Sequence, residues 1–104
     1  MQIFRVIVRG RFGPLDDAQR EELRSALDGD ELASHRFTPA GTLTYDRRVD
    51  FFSVRLEIRV EEAADAPAEA FRRAEALAVA QLDQRGLPYR DLRTTGSNMA
   101  DVWR

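Results

Sequence analysis

An α+β protein, a four-stranded antiparallel sheet with two helices on one face, is what this 104-residue chain predicts. Three observations carry the expectation. Residues 4–12 and 51–60 alternate apolar and polar side chains, the pattern of strands with one dry and one wet face. Segments 16–28 and 67–85 instead carry apolar residues at helical spacing. Extended stretches near 42–46 and 90–99 complete the order β-α-β-β-α-β. Right-handed crossovers turn that order into a ferredoxin-like βαββαβ sandwich with strand order 4-1-3-2, one domain over residues 1–104.

The first strand, near 2–12, points Phe4, Val6, Val8 and Phe12 one way and Arg5, Arg9 and Arg11 the other. Gly13-Pro14 breaks it, and Asp16 with Gln19 makes a capping box for the first helix. Leu15, Ala18, Leu23, Ala26 and Leu27 share that helix's apolar face, and Gly29 supplies a left-handed stop. Residues 30–41 read as an irregular connection containing His35, Pro39 and Gly41. Thr42–Tyr45 is a short strand, Asp46-Arg47-Arg48 a tight turn, and Val49–Val60 a long strand, together a hairpin. Pro67 suits the first turn of a second helix, whose stripe is Ala70, Phe71, Ala74, Leu77, Ala78 and Leu82. Its small members permit close approach to a sheet. Gly86 before Leu87-Pro88 is a Schellman-type stop. The last strand alternates poorly, and Met99 with Trp103 is expected to anchor the tail. The expected core is Phe4, Val6, Val8, Leu23, Leu27, Phe52, Val54, Leu56, Ile58, Phe71, Leu77 and Leu82.

Composition bounds the chemistry. The net charge of −2 gives no bulk attraction to nucleic acid or membranes. All 16 basic residues are arginine, each a permanently charged planar fork that grips carboxylates and phosphates better than lysine does. With no cysteine and one histidine, disulfides, thiolate chemistry and His-rich metal sites are excluded, and no cofactor is expected. Arg5 and Arg9 interrupt the apolar residues before a signal-peptide core can form, and the longest uncharged apolar run, Ala76–Leu82, is too short to span a membrane. The expectation is a cytoplasmic protein.

The uncovered sheet face is the main candidate site. It should carry Ile3, Arg5, Ile7, Arg9 and Arg11 beside Phe51, Ser53, Arg55, Glu57 and Arg59. Arg5, Arg9, Arg55 and Arg59 are the ligand-binding candidates, for an anionic or aromatic small molecule or an acidic protein partner. The plainer alternative is a solvated polar face whose arginines pair with Glu57 or with acids of the last strand. Only Phe51 could stack a base, so nucleic acid is not expected. Edge association into a homodimer would leave the arginines wet. A second candidate is catalytic: His35 as general base with Tyr45 and Arg47 stabilising an enolate. The adjacent acid pairs diverge and make no metal constellation.

Two segments, FTPAGTLTYD running into DFFSVR (37–46, 50–55) and DLR with MADVWR (91–93, 99–104), join the opening strand in resembling a family of small actinobacterial proteins of unknown function. The resemblance implies no activity or site residue; it marks the TYD turn and the MADVW tail as the family's distinctive parts. The expected function is that of a binding or interaction module that uses the open sheet face or the loop over residues 30–48 for an anionic or aromatic ligand or a protein partner. The alternative, by analogy of fold, is a cofactor-free isomerase, cyclase or oxygenase acting on an aromatic or polyketide-like substrate.

Overall fold

Six elements follow one another as expected, and a seventh closes the described residues. The computed structural model describes residues 1–27 and 36–102. Its elements are β1 (Gln2–Phe12), α1 (Asp17–Ala26), β2 (Thr42–Tyr45), β3 (Phe51–Val60), α2 (Ala66–Gln84), β4 (Tyr89–Asn98) and a short α3 (Met99–Val102). The strands form one antiparallel sheet in the order β2-β3-β1-β4, the expected 4-1-3-2 read from the other edge. The two strongly alternating strands are the central pair because they have most to bury: Phe4, Val6 and Val8 of β1 and Phe52, Val54, Leu56 and Ile58 of β3 form one buried cluster. Arg5 and Arg55 lie on the opposite face, as the alternation requires.

The helix signals work as written. Asp16 Oδ1 accepts from the Gln19 N–H at 2.7 Å, and Gln19 Oε1 accepts from the Asp16 N–H at 3.1 Å, closing the capping box. At the other end of α2 the Leu87 N–H donates to the Leu82 carbonyl at 2.9 Å and the Gly86 N–H to the Asp83 carbonyl at 3.1 Å, a Schellman pair made accessible by φ +66° at Gly86. Gln19 then bonds the Gly86 carbonyl through Nε2, at 3.2 Å, tying the start of α1 to the end of α2. The stop expected at Gly29 lies outside the described residues.

Three expectations need correction. Leu77 is exposed, and the buried stripe of α2 runs through Ala66, Ala70, Ala74, Ala78 and Leu82. This four-residue spacing inclines round the helix and leaves Leu77 to one side. Ala18 and Ala26 are likewise exposed, so α1 seals the core through Leu23 alone, with Leu15 and Leu27 half-buried. Val49 does not begin β3: it sits in a left-handed turn at φ +58°, fully buried. A β-branched residue there is strained, and the conformation persists because surrounding contacts over-determine it. Asp46 Oδ1 accepts from the N–H groups of Asp50 and Phe51, while Arg20 and Arg24 of α1 hold the carbonyls of Arg48 and Arg47.

The connection before β2 is also more ordered than its composition suggests. Thr38 makes a parallel bridge to Leu56, its carbonyl accepting from the Glu57 N–H at 3.0 Å, so it prolongs the β2 edge of the sheet. Beyond β4, Asn98 Oδ1 accepts from the Ala100 N–H, capping α3, which packs against β1 and β4. Met99 is half-buried in this turn; Trp103 lies outside the described residues. Among the described residues no helix is long and apolar enough to cross a membrane.

Candidate functional site

Register decides which arginines meet. Cross-strand partners share a face, so the uncovered side reads as rows: Phe51–Arg11–Arg90, then Ser53–Arg9–Arg93, then Arg55–Ile7–Thr95, then Glu57–Arg5–Ser97. The first two rows each set two arginines directly opposite one another on β1 and β4. Partners of this kind have Cβ atoms roughly 5 Å apart, and like charges so placed destabilise the pair. Asp91 is the single acid that β4 places among them. Among the described residues the only ion pairs are Arg20–Asp50, Arg72–Glu69 and Arg73–Glu69, all off this face.

Between those two rows the ladder slips. Gly10 of β1 stands opposite both Asp91 and Leu92 of β4, a β-bulge with Asp91 in the left-handed region at φ +58°. Gly10 is required by the core beneath: a Cβ would lie 2.7 Å from the Phe52 ring and 2.9 Å from Leu92 Cδ2. Leu92 therefore stays on the covered face, packed against the core, while the extra residue re-aims the strand. The result is an open groove of about 460 Å³ lined by Arg9, Gly10, Arg11, Phe51, Asp91, Leu92 and Arg93. Its volume falls within the range of small-molecule sites, roughly 300–1,000 Å³. Arg11 stacks on Phe51, its Cζ 5.1 Å from the ring centre, and Phe51 keeps 54% of its surface exposed.

Of the four arginines chosen from sequence, Arg9 alone lines this groove, and it also donates to Thr95 Oγ1 at 3.2 Å. Arg55 donates to Thr44 Oγ1 at 2.9 Å. Arg5 lies 5.3 Å from the centre of the Phe37 ring, and Arg59 stands opposite Ile3 at the far end of the sheet. Arg93, Arg90 and Asp91 escaped the sequence reading because the bulge breaks the alternation that would have put them on a face. Phe37 escaped it because Thr38 joins the sheet only through a tertiary bridge. The signal that was available is the Arg90-Asp91-Leu92-Arg93 spacing, with two arginines three apart in a strand. An odd spacing puts both on one face only if a residue is inserted between them.

The catalytic candidates are placed as follows. Tyr45 is on the covered face, where its ring packs edge-on against Phe12 and its hydroxyl donates to the Leu23 carbonyl at 2.6 Å. That carbonyl belongs to the last turn of α1, whose acceptors lack helical partners, so the phenol serves as a cap from the sheet. Arg47 has an exposed side chain and a carbonyl bonded by Arg24. His35 lies outside the described residues. Burial pushes the Tyr45 hydroxyl above the ordinary tyrosine value, with Arg85 opposing and Glu22 reinforcing the shift. A pKa raised by folding contributes stability below the unfolded value, about 10, and that contribution is lost as pH rises through the folded value. Tyr45→Phe is therefore expected to cost about 0.5–1.5 kcal/mol at neutral pH, the net worth of one hydrogen bond. The gap between the two proteins in urea melts should close above pH 10; a gap that widens there would refute the capping role.

A small βαββαβ sheet protein with an arginine-lined groove on its bare face is the class that fold and site define. The chain belongs to the family of unknown function DUF6204, whose family model matches residues 1–103. No curated protein and no solved structure matches it.

Proposed function

We propose that this protein is a non-catalytic binding module that recognises an anionic small molecule in the groove between β1 and β4. The observation that carries the reading is the pair of directly opposed arginine couples, Arg9 with Arg93 and Arg11 with Arg90, with Asp91 the lone carboxylate among them. Such couples cost stability in the empty protein, and a bound anion converts the repulsion into charge-assisted hydrogen bonds. The catalytic alternative asks Tyr45 to act on a substrate, whereas its hydroxyl proton is already committed to the Leu23 carbonyl.

Thermal melting tests this. At constant ionic strength the wild type should melt higher in phosphate or citrate than in chloride. Ligand at a hundred times its Kd would add about 2.7 kcal/mol. Both anions also stabilise proteins generally by exclusion from the surface, so the comparison is between variants. The double substitution Arg9→Gln/Arg93→Gln should lose the specific increment, and Arg5→Gln/Arg55→Gln, off the groove, should keep it. The same anion response in all three proteins would leave an ordinary solvated sheet.

A further inference from the structure

Resting on the anion-binding reading, we infer that the groove takes an aromatic phosphate monoester with hydroxyl or amino donors, the chemistry of a nucleoside monophosphate. The charge argues for phosphate. Arg9, Arg11 and Arg93 line the groove against one carboxylate, and the register adds Arg90 opposite Arg11. A dianion answers that excess better than a monoanion. Its tetrahedral oxygens can also be reached by forks arriving from two strands, whereas a planar carboxylate is satisfied by one fork.

The apolar part of the ligand is read from Phe51. Its ring is large, half-exposed and held in place by Arg11 at 5.1 Å, so a stacking surface already stands at the rim. The Phe51–Arg11 row and the Arg9–Arg93 row are two residues apart along β1, roughly 7 Å. A ring placed on the first row and a phosphate on the second need a spacer the size of one sugar. Asp91 lies at the bulge between those rows and is the groove's one acidic acceptor. It suits a hydroxyl or amino donor on the spacer or ring, and it repels a second anionic group there. Each part of the groove thus has a counterpart in one molecule.

Isothermal titration calorimetry with adenosine 5′-monophosphate, ribose 5-phosphate, adenosine and inorganic phosphate at matched ionic strength tests the inference. Adenosine 5′-monophosphate should bind at least about fivefold more tightly than ribose 5-phosphate, the low end of what stacking a base on an aromatic ring supplies. Phe51→Leu should erase that preference, bringing adenosine 5′-monophosphate down to the affinity of ribose 5-phosphate for the same variant. Because Phe51 is exposed, this variant should fold, and a thermal melt checks that it does. Asp91→Asn keeps the size and the left-handed tolerance of the position, and should reduce the preference for adenosine 5′-monophosphate over inorganic phosphate. Equal binding of the two sugar phosphates would overturn the aromatic part while sparing the anion site. No heat with any phosphate would remove the anion site itself. A single-stranded oligonucleotide binding far more tightly than the mononucleotide would overturn the small-molecule class in favour of nucleic acid.

Discussion

Leu56→Ala should destabilise the protein by about 2–5 kcal/mol, through lost transfer free energy and the cavity left behind. Leu56 is fully buried on β3, one of the two central strands, and the bridge with Thr38 closes over its edge. The Gly41 loop packs on it so closely that a Cβ at Gly41 would lie 3.3 Å from Leu56 Cδ2. A loop in that position, at φ +100°, has little room to collapse into a void. Denaturant unfolding should show a lower midpoint with an unchanged slope, since the native surface is the same. The upper end of the range approaches the whole stability of a small protein, about 5–15 kcal/mol. A loss below about 1 kcal/mol would mean that the neighbouring side chains collapse into the space Leu56 leaves.

Ala74→Leu should cost about 1–3 kcal/mol in the opposite way, by overfilling. Ala66, Ala70, Ala74 and Ala78 present methyl groups alone to the sheet, and all four are buried. That row lets α2 approach β1 and β3, which carry the larger side chains. A leucine at its centre must lift the helix or force its neighbours off rotamer. Leu77→Ala, one turn away on the same helix but exposed, is the control, and should stay within about 0.5 kcal/mol of wild type. If the larger loss fell on Leu77, the helix would be rotated from the orientation described here.

How much of this was legible beforehand follows from how local each signal is. The capping box at Asp16, the Schellman stop at Gly86 and the alternation of β1 and β3 are written within a few residues, and each appears where the sequence puts it. The handed crossovers then leave one strand order for that element order. The orientation of α2 was less legible. Ala66 and Leu77 are both apolar and both compatible with a 3.6-residue period, and the packing angle on the sheet chose between them. Val49 was illegible, because a buried valine in a left-handed turn contradicts its own preference. Asp46 inside the turn, and Arg20 and Arg24 from α1, hold the backbone around it.

The candidate site divides along the same line. Alternation is a property of each strand alone, so the arginines of β1 and β3 could be assigned to the bare face without knowing their neighbours. Register is a property of two strands together. It separated Arg5, Arg55 and Arg59 from the groove, and set Arg93 and Arg90 across from Arg9 and Arg11. The insertion at Asp91 made that arrangement, since one extra residue in an antiparallel pair shifts the following side chains to the other face. A period-two reading cannot anticipate the shift, because it depends on Gly10 having no side chain against Phe52 and Leu92. That contact joins Gly10 to residues 42 and 82 positions further along the chain, and only the folded packing of β3, β1 and β4 brings them together.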